Sequence, residues 1–301
     1  MKRRLAATAL LFAAVLPGAC TTTIREPNPA TETTCRFNAD TLTFEVGDAR
    51  AQARCLLRHV NKGGFLSPEQ PLPPTLDRLV GTTDVPSLDA LRRYVETRGD
   101  DRYQRSTWSA VAFFLDRPIA RAWDNRPDAP QARYFVIHDT SEPWIGAAPF
   151  PKDLNDDPAV NDFHIYFQPG KDPVAHFFVN RKGEIALGHD FSVPWRATKR
   201  EHFPDVRAKG LFLHTEMVQP RRQEPGLPRS DTIAPEPGFT DAQYDTLALL
   251  YVIASTRAHV WMTPAFHSDV DAGIAAKHDD PQHFDLNKLD AAIARALAAI
   301  G

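Results

Sequence analysis

The chain has 301 residues, a formal net charge of -3, 43% hydrophobic and 24% charged residues, which suits one large globular domain or a domain with a substantial extension. General disorder is excluded by that apolar content. Charges of both signs are mixed along the chain, so no basic field exists to hold a polyanion, and nucleic acid is not an expected partner.

Lys2, Arg3 and Arg4 precede an apolar run from Leu5 to Leu16, too short for a membrane span. Residues 1–20 therefore read as a secretory signal. Gly18 and Ala19 before Cys20 resemble the end of a bacterial lipoprotein signal, in which Cys20 would be acylated and tie the mature chain to a membrane. Pro17 stands where that pattern has Leu, which comes one place earlier as Leu16, and ordinary cleavage is the other reading. Either way the chain is expected in the bacterial envelope, in the periplasm or anchored to the outer membrane. An exported, oxidising setting predicts that the remaining cysteines, Cys35 and Cys55, form a disulfide.

Residues 21–34, "TTTIREPNPATETT", have little to bury and read as a flexible tether. Residues 35–131 read as a helical accessory region. Asp48 can cap "ARAQARCLLRHV", Ser87 can cap "LDALRRYVETR", and "WSAVAFFL" is an apolar block. No catalytic motif stands out there.

From Ala132 the periodicity changes. "RYFVIHD", "VAHFFVN" and "KGLFLHTEMV" are strand-like, and Gly183 in "RKGEI" marks a hairpin turn. Thr240 and Gln243 form a capping box ahead of one helix, and Asp285 caps a last helix with Leu286, Leu289, Ile293 and Leu297 on its buried stripe. The expected fold class is α/β (α+β): a mixed central sheet with helices packed on it over residues 132–301, preceded by the helical extension.

His138 ends an apolar strand, and His267 stands in a polar loop that also offers Asp269, Lys277, Asp279 and Asp280. Two imidazoles and a carboxylate can hold Zn²⁺ in an open tetrahedral site with water as the fourth ligand.

From Tyr134 to Phe284 the chain resembles the type 2 N-acetylmuramoyl-L-alanine amidases, the zinc amidase family that includes the peptidoglycan recognition proteins. "FVIHDTS" is similar to the family's strand ending in the first zinc histidine, and "VAHFFVNRKGEI" to its following hairpin. "LHTEMVQP" resembles the strand with a catalytic glutamate, "FTDAQYDTLALL" the next helix, and "FHSDV" with "KHDDPQHFD" the segment of the second histidine and an acid before proline. The resemblance implies His138, His267 and Asp280 as zinc ligands, Glu216 as general base, and peptidoglycan or its muropeptide fragments as substrate. It also implies Lys277 as a catalytic donor to the oxyanion. The family's lysine lies two residues before the acid, whereas Lys277 lies three before Asp280. Either the loop bulges, or Asp279 is the ligand, or His278 supplies the donor. Arg196 stands where the family often has a histidine, and a solvated side chain is expected. His176 is expected in the core or lining the cleft, and Arg221 and Arg222 as exposed loop arginines. A peptidoglycan-binding module without catalysis is the alternative function.

Overall fold

The computed structural model describes residues 35–226, 232–276 and 278–301. The signal, Cys20, the tether and Lys277 lie outside the described residues. The extension supplies α1 (Ala49–Leu56), α2 (Pro74–Leu79), α3 (Leu88–Glu96) and α4 (Arg102–Phe113). Asp48 accepts from the Ala51 N–H and Ser87 from the Ala90 N–H, as their sequence positions predict. Pro74 opens α2, where a missing N–H leaves no helical bond unmade. Cys35 and Cys55 are joined in a disulfide, with Cα atoms 5.9 Å apart.

The central sheet contains β1 (Tyr134–Asp139), β2 (Phe177–Val179), β3 (Ile185–Leu187), β4 (Phe212–Met217) and β5 (Thr263–Phe266). Their order across the sheet is β3-β2-β4-β1-β5. Only the edge pair β2–β3 is antiparallel; the other three pairings are parallel. Gly183 turns this hairpin at φ 78°, a conformation L side chains rarely adopt. The sheet is mixed, as expected, and three helices complete the α+β fold: α5 (Asp241–Ala258), α6 (His267–Val270) and α7 (Leu286–Ile300). Thr240 and Gln243 make the capping box of α5, and Asp285 caps α7.

Both central strands are buried along their whole length, as a parallel sheet covered on two faces requires. Phe135, Ile137, Leu213 and Met217 pack with Leu247 and Tyr251 of α5 on one side. That same apolar cluster includes Leu57, Leu76, Leu91 and Trp108 of the extension, so the core is continuous across residue 131. On the other side Tyr134, Val136 and Phe212 meet Phe44, Cys55 and Leu56. In β1 and β4 this second side runs from apolar to polar toward the C-terminal ends, where His138, His214 and Glu216 project. Parallel register places His138 opposite Glu216 and Val136 opposite His214.

A buried bidentate pair stitches the end of α5 to the loop after β3. Arg257 Nη1 and Nη2 donate to Asp190 Oδ2 and Oδ1 at 2.7 and 3.0 Å. Among the described residues no helix is long and apolar enough to cross a membrane.

Candidate metal centre

Ile137 pairs with Phe266 across β1 and β5, so His267, the next residue and the first of α6, comes beside His138. Their Nδ1 atoms are 2.9 Å apart. Asp280 completes the cluster from the segment before α7, with Oδ1 at 3.1 Å from His267 Nδ1 and Oδ2 at 3.7 Å from His138 Nδ1. Three ligands at zinc bond lengths around a tetrahedral ion would lie about 3.4 Å apart. All three residues are buried. The sequence-predicted trio is thus brought together, and Glu216 stands beside it with Oε1 3.9 Å from His138 Nδ1.

The hydrogen bonds behind the two imidazoles decide which way their lone pairs point. Glu201 Oε2 accepts from the Ala197 and Thr198 N–H groups and the Thr198 hydroxyl, so it is held as an acceptor 3.1 Å from His214 Nε2. His214 therefore donates through Nε2 and accepts through Nδ1. His138 Nε2, 3.1 Å from that Nδ1, must then carry the proton, which leaves His138 Nδ1 with a free lone pair. Likewise His267 Nε2 donates to Asp271 Oδ2 at 3.1 Å. With both rings neutral, two imidazole lone pairs and a carboxylate converge, the donor set of a cation site whose outer partners fix each ring. Glu216 Oε2 is buried without a hydrogen-bond partner among the described residues, which also fits a site that expects a cation.

Burial, with His267 and His214 nearby, holds His138 well below the usual histidine range. Burial also opposes charge on His267, but Asp280 and Asp271 outweigh it and push the ring up to about 10. In the absence of a cation a proton at His267 takes its place, and metal binding must release it. Burial, with Asp280 close by, pushes Glu216 up to about 8.

Asp139, next to His138, anchors the rim. Its Oδ2 accepts from Arg221 Nη2 at 2.6 Å and from the Gln282 N–H at 3.1 Å, and its own N–H donates to Asp280 Oδ2 at 3.2 Å. Arg221 is only 1% exposed, which corrects the expectation of a solvated loop arginine. The loop is drawn in by Asp139 and by a parallel bridge between Trp144 and Arg221.

Of the three readings of the acid before the proline, the geometry brings Asp280 to the histidines. Asp279 instead accepts from Gln282 Nε2 at 2.7 Å. His278 stacks on His267 with ring centroids 4.4 Å apart and keeps an exposed ring at the mouth of the site. His176 is a core histidine, accepting from the His214 N–H and facing the Val193 carbonyl. Arg196 is exposed, as expected. Sequence reading missed His214, Glu201 and Asp271. Only Asp271 carried a local signal, four residues after His267 on a helical turn. A further group, Cys35, Cys55 and Glu69, also converges, but its sulfurs are tied up in the disulfide.

The fold and site together define an α+β protein with a buried His/His/Asp cluster at the C-terminal ends of parallel strands. No protein-family model matches the chain, and no curated protein matches it. Two solved structures are similar. A selenomethionine derivative of AmpD has 20% identity and a TM-score of 0.33, over 58% of this chain and 92% of that one. The Ph2119 endolysin from Thermus scotoductus MAT2119 bacteriophage Ph2119 has 11% identity and a TM-score of 0.31, over 60% of this chain and 94% of that one. Likeness at this level carries no functional weight.

Proposed function

We propose that the chain is a zinc-dependent N-acetylmuramoyl-L-alanine amidase, exported to the bacterial envelope and anchored there through an acylated Cys20. Its reaction would hydrolyse the amide between the lactyl group of N-acetylmuramic acid and the first L-alanine of the peptidoglycan stem. The observation that carries this reading is the convergence of two imidazole Nδ1 atoms and the Asp280 carboxylate, with Glu216 on the neighbouring strand. Zn²⁺ held by His138, His267 and Asp280 would supply Lewis acidity and make hydroxide available near neutral pH.

Glu216 is suited to move the proton. Its carboxyl sits at the edge of the cluster, and its high affinity for a proton without a cation would fall once positive charge enters the site. As a base it would take the proton of the attacking water, and as an acid return it to the alanine nitrogen as the C–N bond breaks. Lys277 remains the proposed donor to the oxyanion. Asp139 and Arg221 would hold the rim in place around the substrate carbonyl.

The test is to incubate the purified mature chain with muropeptides, with and without a chelator, and to analyse for free stem peptide by mass spectrometry. Chelator-sensitive release is expected. Binding without release would leave a peptidoglycan-binding module, and neither binding nor release would overturn both readings.

A further inference from the structure

We propose that Arg58 is a positioning residue for the metal ligands, and that residues 58–64 of the helical extension hold both stretches that carry His267 and Asp280. This rests on the reading of those residues as ligands. The extension would then be part of the site rather than a layer beside it.

Three contacts carry the inference. First, Arg58 Nε donates to Asp269 Oδ1 at 2.8 Å and the Arg58 backbone N–H donates to Asp269 Oδ2 at 3.0 Å. Both side chains are buried, at 4% and 0% exposed. Asp269 lies two residues past His267 on α6, a helix of four residues that cannot hold its own orientation by helical hydrogen bonds. Second, Val60 pairs in parallel with Gln282, two residues past Asp280. Third, a Cβ built on Gly64 would lie 3.3 Å from the His278 carbonyl oxygen and 3.4 Å from Asp279 Cβ. The extension backbone is therefore packed against the approach to Asp280.

These contacts flank the cluster on two sides. Apolar packing alone would suffice to attach an accessory layer, and the core already supplies it. A buried ion pair adds little net stability, because desolvation offsets the attraction. What Arg58 adds is direction: it fixes α6, and with it the position of His267.

The test compares zinc affinity, by chelator competition, between the full mature chain and the double variant Arg58→Met with Asp269→Leu, which leaves neither charge orphaned. The double variant is expected to fold and to bind zinc more weakly by about tenfold or more, as for groups that orient ligands. Unchanged affinity in the folded double variant overturns the inference. Should that variant fail to fold, hydrogen exchange of the wild-type chain with and without zinc decides. Zinc is expected to slow exchange at the Arg58 amide and its neighbours through residue 61, although none of them is a ligand. No change there overturns the inference. A wild-type chain that binds no zinc defeats the ligand reading itself, so the two failures are told apart.

Discussion

His138 Nε2 donates to His214 Nδ1 at 3.1 Å, so a histidine outside the proposed ligand set fixes the tautomer of one within it. His214 is in turn held by Glu201 at 3.1 Å. Replacing His214 by Leu is expected to weaken zinc binding about 10- to 100-fold, the usual effect of losing an outer partner. Chelator competition on a variant with unchanged circular dichroism measures this. Wild-type affinity would show that His138 needs no orienting partner.

Glu216→Gln keeps the shape of the side chain and removes its capacity to exchange a proton. Zinc content is expected to be retained while stem-peptide release falls about 10²- to 10⁴-fold, the range for a positioned acid/base. Comparing bound metal by mass spectrometry with the release rate separates the two effects. A variant of full activity would remove Glu216 from the reaction.

The neighbouring acids are expected to behave differently. Asp280→Asn replaces a carboxylate 3.1 Å from His267 Nδ1 and should abolish stoichiometric zinc binding. Asp279→Asn, whose side chain meets Gln282, should leave most of it intact. The reverse pattern would transfer the ligand role to Asp279.

The Asp190–Arg257 pair sets an acid limb of stability. Burial works against the Asp190 carboxylate, but its hydrogen bonds to Arg257 and the attendant charge outweigh that and hold the carboxyl below its usual range. The stabilising contribution is then present above the unfolded value of about 4 and is lost as pH falls through the lower folded value. Asp190→Asn, which leaves Arg257 buried without its anion, is expected to cost about 3–5 kcal/mol at pH 7 and to flatten the decline in melting temperature as pH falls below about 4. An acid limb as steep as that of the wild type would count against this assignment.

The Cys35–Cys55 bridge spans 20 residues. Replacing both cysteines by Ser is expected to lower stability by about 3 kcal/mol through the freedom returned to the unfolded chain. Urea denaturation under non-reducing conditions gives the difference directly, and a loss below 1 kcal/mol would mean the unfolded chain is little constrained by the bridge.

What could be read from the sequence was mostly local. Asp48, Ser87, Thr240 with Gln243, and Asp285 announce helix starts because a cap acts on N–H groups two or three residues away, and Gly183 announces its turn for a similar reason. His138, His267 and the acids near it stood out weakly by residue type and position, and the resemblance spread over several stretches added Glu216 and singled out Asp280, since their proximity is made by tertiary packing and not by spacing. Arg58 with Asp269, 211 residues apart, and Arg221 with Asp139, 82 apart, left no such trace. Each looks like an ordinary surface charge until tertiary packing buries it. Glu201 was equally silent, because its partners come from a turn and a distant strand.

The facing of His138 and Glu216 across parallel strands sets unequal tolerances along the chain. Sheet side chains alternate every residue, so a single residue inserted before Thr215 within β4 would turn the Glu216 carboxyl into the opposite apolar layer and bring Thr215 toward His138 instead. Insertions in the long connections on either side of β2 and β3 carry no such penalty. Changes in length that reshape the mouth of this site are therefore confined to the loops, while the distance between Glu216 and His138 is inherited unchanged from the sheet.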